Sequence, residues 1–482
     1  MSEWSQPFVP LPFAVVRATH ILAAFFGSVA ASLAVTEPAA DPDLFWHLAS
    51  GAWMLEHGRL LDHDVFSFTR SGEPYSVGQW LGQLALASAF RAGGWQGVEV
   101  LRATLIAVAT LFLSRAVLRV QPHPGWAALP IVAAVLISRL AWGDRPQLFT
   151  IALFPVFFDL LLRARLDERA RTLALLPPLA LLWANLHGAF PLGLALLLAF
   201  TVEGHAVRHS LRWRFTATLV ACAIATQVNP TATRALGWAV SYASAPGRHV
   251  VEERPTDLLA PAGIVFGAML LGALGASLVL GRHRIAARVG PPLLWTGLIV
   301  PFALLGIAIQ RQLPYAAYVL APFVGAAIPA ALGRARTAAP HVPGPVASAI
   351  VGVLIAVPLA TAALAAPAEP DLRAYPVAAV RELRPMRGPL LNEYDWGGYL
   401  IYAAPEHPVF IDGRGAALFV PGVLDDWVRA VEVRPGYAEI LERHDIRLVL
   451  LRPHRPLVAA LREGGWHLAA EEGDRWVLLV RP

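Results

Sequence analysis

Eleven apolar runs dominate the chain, near residues 13–35, 98–118, 124–142, 147–162, 172–187, 188–206, 215–228, 260–281, 291–309, 313–332 and 346–366. A helix that crosses a bilayer needs about 17–25 such residues. The pattern therefore predicts about eleven spans, with 215–228 the weakest. Between 172 and 206 the break Asn185-Leu186-His187-Gly188 predicts a turn rather than one long helix, because polar groups and open backbone are costly in lipid. The two longest stretches outside the runs are 36–97 and 367–482. In the first, Phe45, Leu48, Ala52 and Leu55 share a helical face, which predicts a helix over 44–57 lying along the membrane interface. In the second, short strands are expected at 389–392, 408–411, 447–451, 467–470 and 476–480. They alternate with helices at 375–383, 396–403, 422–431, 437–444 and 457–463, a layered α/β pattern. The predicted fold class is a mainly α, polytopic helical membrane protein with a C-terminal extracytoplasmic α/β domain. A Pro- and Ala-rich linker at 365–370 divides it into 1–366, transmembrane, and 367–482, soluble.

Composition narrows the class further. Hydrophobic residues make up 56% of the 482 and charged ones 15%; soluble domains carry roughly 25% charge. An ordinary soluble enzyme is excluded, and so is a disordered chain, which needs low hydrophobicity. The net charge of +5 comes from 39 basic residues, all of them Arg. Residues 367–482 hold 14 Arg against 17 Asp and Glu, a balance of −3, which leaves +8 for 1–366. With the N-terminus inside, 14 of the 25 Arg in 1–366 fall in short cytoplasmic loops, as the positive-inside rule demands. The basic excess thus reports orientation, with the tail outside a plasma (inner) membrane, and not a nucleic-acid partner, which would call for Arg clustered on a soluble face. The first run lacks a basic segment ahead of it and is expected to be a retained helix rather than a signal peptide. Cys222 is the only cysteine, so no intramolecular disulfide forms.

The polar residues that interrupt this pattern are the candidate chemistry. Asp41-Pro42-Asp43 follows the first run directly, and His47 comes one turn later. An Asp-x-Asp pair in extended chain offers oxygen ligands to a divalent cation such as Mg or Mn. Either carboxylate could instead act as a general base, and Asp43 also suits the N-cap of a helix over 44–57. Asp62-His63-Asp64 reads as a second ligand cluster or as a polar turn. Further ends on the same side carry Arg139, Arg145, Asn185, His187, Glu253, Arg254 and Arg311. Ionisable residues at membrane depth mark functional sites. Guanidinium groups pair bidentately with phosphate, so a phosphate-bearing ligand is expected among these residues. Glu99 and Arg102, three apart on one helix, are expected to form a structural ion pair, and Asp159 and Glu203 to pair with inner-loop arginines. Asn392, Tyr394, Asp395, Asp412 and Arg414 in the tail form either a ligand site or turns. No Walker A or GxGxxG motif opens a helix.

The run from Asp41 through Trp46-His47 to Gly51 resembles a bacterial family of membrane glycosyltransferase-like proteins of the GT-C superfamily. The resemblance continues at Glu56-His57-Gly58, Asp62-His63-Asp64, Arg145-Pro146-Gln147, Trp183–Gly188, Tyr394–Leu400 and Val409–Arg414, and so covers almost the whole chain. It implies an inverting hexosyl or pentosyl transfer from a polyprenyl-phosphate-type donor to a glycan, lipid or protein acceptor outside the membrane. Asp41 and Asp43 match the superfamily's acidic motif by position, as base or metal ligands, with His47 beside them. Arg145, His187, Asn185, Glu253, Arg254, Arg311, Asp62 and Asp64 are then the expected donor-phosphate and substrate contacts. Two other readings compete with catalysis: a flippase of lipid-linked sugars, which would need a polar path through the bilayer, and a non-catalytic scaffold whose tail binds a ligand.

Overall fold

The protein is described from a computed structural model over residues 15–75, 78–231, 253–334, 339–415, 418–420 and 422–482. Every apolar run forms a helix: α1 (Ala18–Val35), α3 (Trp80–Val120), α4 (Pro124–Ser138), α5 (Gln147–Leu166), α6 (Leu176–Leu186), α7 (Pro191–Ala206), α8 (Arg212–Ala225), α9 (Pro261–Arg288), α10 (Pro292–Ala308), α11 (Leu313–Ala331) and α12 (Gly344–Ala365). Among the described residues seven helical segments are long and apolar enough to cross a membrane, and three shorter ones are apolar. The weakest run, now α8, meets neither measure. The expected turn separates α6 from α7. Helices α5 and α11 are almost wholly buried in the bundle, while α12 is almost wholly exposed along its length.

Helices α1 and α12 lie side by side, entry end to entry end and exit end to exit end. A short ribbon, β1 (Val15–Arg17) against β2 (His341–Pro343), joins their entry ends. At their exit ends the Asp371 N–H donates to the Ala39 carbonyl at 2.8 Å.

Two expectations are corrected here. Helix α3 starts at Trp80, well before its apolar run, and bends at Gly93-Gly94, where Gly94 takes φ 58°. Its first leg reads as loop in sequence because polar residues interrupt the pattern; packing against α2 (Leu44–His57) supplies what propensity does not. Helix α2 itself does not lie on the membrane by the predicted face, since Phe45 and Leu48 of that face are buried inside the protein. It is sandwiched instead: Gly51 meets Gln83 and Ala87 of α3 so closely that a Cβ would collide with them, and Phe45 and Trp46 are buried on tail residues.

The tail forms α13 (Val377–Leu383), β3 (Leu390–Asn392), α14 (Gly397–Ala403), α15 (Val423–Val431), α16 (Tyr437–Arg443), β4 (Leu448–Leu451), α17 (Pro456–Glu463), β5 (His467–Glu472) and β6 (Trp476–Val480). The strand order is β3-β4-β6-β5, parallel only between β3 and β4. The strand expected at 408–411 is reduced to Val409, which bridges Leu390 on one side and Ser67 of the first loop on the other. The first loop thereby covers the open edge of the tail's sheet, which would otherwise present unpaired backbone groups. Met54, Leu61 and Tyr75 share one core with Leu391, Phe410 and Trp427; Phe45 and Trp46 share another with Tyr375 and Tyr399. Truncating one such buried aromatic to Ala costs about 3–5 kcal/mol, so loop and tail hold each other in place.

Candidate active site

The exit of α1 and the entry of α5 meet at one point. Asp41 accepts the Asp43 N–H at 2.9 Å through Oδ1, which tightens the Asp-Pro-Asp turn. Asp43 begins α2 without capping it by its side chain; its Oδ1 accepts the Trp46 indole N–H at 2.9 Å instead. The other oxygen of each carboxylate faces Arg145: Nε lies 3.5 Å from Asp41 Oδ2 and Nη1 lies 3.3 Å from Asp43 Oδ2. The Asp43 side chain is 28% exposed and that of Asp41 9%, so Asp43 is the more accessible carboxylate. Gly143 abuts Asp41 so closely that a Cβ there would collide with the carboxylate.

Around this triad lie further predicted residues. His47 is buried behind Trp46, with Nδ1 3.1 Å from Gln83 Nε2. Burial first, then the charges of Arg145 and His187, hold its imidazole well below its ordinary range. His187 sits in the turn after α6, with Nδ1 2.8 Å from Thr150 Oγ1. Burial, then Arg311 and Arg145, push it down to about 3. Both rings are thus neutral, which suits them to fixing geometry rather than moving protons. Arg311 pairs with Glu253 at 3.0 Å, and its field reaches His187 together with that of Arg145.

Four predicted residues do other things. Asn185 accepts the Trp80 indole N–H at 2.8 Å and donates to the Leu181 and Val228 carbonyls, which clamps α6 to α3. Arg254 is exposed, and its carbonyl accepts the Gln310 N–H. Asp62 is 72% exposed and pairs with His63 at 2.6 Å. Asp64 is buried, accepts Ser67 Oγ at 2.5 Å and pairs with Arg414 of the tail. The sequence Asp62-His63-Asp64 is thus a polar turn whose second carboxylate is a fold contact.

The expected Glu99–Arg102 pair does not form. Arg102 reaches past its helix to Asp144 at 2.7 Å and to the Ala34 and Glu37 carbonyls, three acceptors that Glu99 cannot match. Burial raises Asp144 to about 7 even against the pull of Arg102. The inner side follows expectation: Asp159 pairs with Arg115, Arg119 and Arg163, and Glu203 with Arg165.

Among the described residues no group of three or more His, Cys, Asp or Glu side chains converges to hold a metal. As placed, Asp41 and Asp43 are ligands of a guanidinium, and each of their four oxygens faces a protein donor. A divalent cation at these carboxylates would have to displace Arg145, since Mg is held by one or two carboxylates completed by water and substrate phosphate.

Sequence reasoning missed Gly143, Gly398 and Gly413. A Cβ at Gly398 would press on the Pro42 carbonyl and Trp46, and one at Gly413 would collide with Asp43 Oδ1. The signal was visible as glycines inside two polar motifs, but a glycine in a turn and a glycine under a carboxylate look alike in sequence.

No protein-family model and no curated protein matches the chain. Solved structures do. The archaeal oligosaccharyltransferase AglB from Archaeoglobus fulgidus, in complex with an inhibitory peptide and a dolichol-phosphate, matches with TM-score 0.55 and 12% identity over 90% of this chain and 69% of that one. ArnT from Cupriavidus metallidurans in the apo state matches with TM-score 0.52 and 14% identity over 95% and 96%. The same ArnT bound to undecaprenyl phosphate gives 0.50 over 96% of each chain. At these identities the likeness is one of fold alone.

Proposed function

We propose that this chain is a membrane glycosyltransferase that moves a hexosyl or pentosyl group from a polyprenyl-phosphate-type donor to an acceptor hydroxyl of an extracytoplasmic glycan, lipid or protein. The observation that carries this reading is the sharing of Arg145 between Asp41 and Asp43. Carboxylates able to take a proton sit against a guanidinium able to take a phosphate, where a loop meets the bundle. The solved neighbours carrying dolichol-phosphate and undecaprenyl phosphate support a lipid-phosphate ligand for this fold; fold alone does not assign chemistry, so the site bears the argument.

In this reading the acceptor oxygen attacks the anomeric carbon, and the bond from that carbon to the phosphate oxygen breaks on the opposite face. The acceptor's proton passes to Asp43, the more exposed carboxylate. The leaving lipid phosphate gains negative charge, which Arg145 meets as its hold on the carboxylates loosens, with Arg311 nearby. Preorganised charge of this kind supplies most of many enzymes' acceleration. Asp41 keeps the turn closed through the Asp43 N–H. No metal is needed for these steps to balance.

The orientation follows the same reading: multi-pass in the plasma membrane, N-terminus cytoplasmic, 367–482 and the first loop outside, with 1–366 as the membrane unit. The flippase and scaffold readings have less support. Asp41, Asp43, Arg145 and His187 lie at one end of the helices, and Asn392, Asp412 and Arg414 are engaged in internal hydrogen bonds. The test is transfer by the purified protein and by its Asp41→Asn and Asp43→Asn variants, each checked for folding. Loss of transfer in both supports the assignment, and full activity in both overturns it.

A further inference from the structure

The tail touches the proposed catalytic turn through the Tyr375 hydroxyl on the Ala40 carbonyl and through the backbone of Gly398 and Gly413. Gly413 is placed so that a Cβ would collide with Asp43 Oδ1 and crowd Trp46 Nε1, the two atoms that bond each other. The next residue, Arg414, is completely buried. It pairs with Asp412 at 2.6 Å and with Asp64 of the first loop, and lies over the rings of Phe66, Tyr75 and Phe419. One guanidinium with two carboxylates and three aromatic faces in a dry site is a costly arrangement to build. Removing one partner leaves a buried charge uncompensated, so the arrangement has one stable geometry. That geometry sets the height of the 412–414 turn above Asp43.

We infer that Gly413 and Arg414 are positioning residues for Asp43: the Arg414–Asp64 pair fixes the tail on the first loop, and Gly413 thereby sets the rotamer in which Asp43 holds Trp46 with one oxygen and faces Arg145 with the other. The inference rests on the glycosyl-transfer reading for its kinetic consequence, but not for its structural one. It makes the C-terminal region part of the catalytic unit rather than an appendage.

The experiment uses the full chain in detergent or nanodiscs. Gly413→Ala adds one methyl against Asp43 and removes no buried charge, so it separates positioning from folding. Two quantities are read: hydrogen exchange of the segment 41–47 by mass spectrometry, and sugar transfer. The expected result is faster exchange across 41–47, a thermal midpoint close to wild type, and a kcat lowered about 100-fold, the scale of a 1 Å misplacement, with donor KM little changed. Arg414→Gln should speed exchange at both 41–47 and 64–75. Unchanged exchange in Gly413→Ala overturns the inference, whatever the activity. Faster exchange with wild-type kcat overturns the positioning role. If the wild-type protein transfers no sugar, the functional reading fails, while the exchange result still decides whether the turn is held by the tail.

Discussion

Arg145 stands between two carboxylates that lie two residues apart, 3.5 Å from Asp41 Oδ2 and 3.3 Å from Asp43 Oδ2. The contact joins the exit of α1 to the entry of α5. Arg145→Gln removes the charge that meets the leaving phosphate and should lower transfer by about 10²–10³-fold, the scale seen when one preorganised donor is lost. Arg145→Lys keeps the charge but not the planar fork and should fall between. Initial rates of the purified variants check both; a fully active glutamine variant would remove Arg145 from the reaction.

His47 and His187 are buried and held neutral. The pH profile of transfer should therefore carry no limb from either ring near pH 6.5. His187→Asn, which can still meet Thr150, should retain the shape of the wild-type profile at a lower rate. A wild-type limb near pH 6.5 that disappears in this variant would show that His187 titrates during turnover.

Asp144 carries a stability prediction with a definite sign. Its folded-state value, raised to about 7 by burial, lies above the ordinary carboxylate value. Between the two, the folded protein binds more protons than the unfolded one, so stability falls as pH rises through that window. The thermal midpoint should drop from about pH 5 to pH 8, and Asp144→Asn should flatten that slope. Arg102→Met removes the partner of a buried acid and should cost about 3–5 kcal/mol at pH 8, read from denaturant or thermal unfolding in detergent. The same slope in wild type and Asp144→Asn would assign it to other groups.

With both carboxylates held by Arg145, the Asp43 N–H and the Trp46 indole, EDTA should leave transfer within about twofold of the untreated rate, since a cation would have to displace Arg145 before it could bind. Loss in EDTA with recovery in Mn would mean that the carboxylates leave Arg145 for a cation during turnover.

Much of this architecture is legible in the sequence, and the reasons differ by element. The apolar runs map onto helices because burial in lipid or protein needs the same residues. The tail's strands and helices follow from alternation and turn residues, with Val409 the exception because its partners lie in a different part of the chain. The convergence of Asp41, Asp43 and Arg145 could be expected from their common side, but side alone does not decide it, because Asn185 and Arg254 were expected on that side too and make other contacts. What stayed hidden was pairing across long separations. Arg102 prefers Asp144 to Glu99, Asp64 belongs to Arg414, and α2 packs between α3 and the tail. None of these choices leaves a periodic trace, because each is decided by which neighbour the folded chain brings within reach.

The most direct test of the central claim compares cells lacking this chain with cells carrying only its Asp43→Asn form, by mass spectrometry of surface glycans and lipid-linked sugars. The account predicts that both lose the same transferred sugar and accumulate the same lipid-phosphate-linked donor, with the variant present in the membrane at wild-type levels. A variant strain whose glycans and lipid-linked sugars match wild type, while the deletion strain's do not, would contradict it.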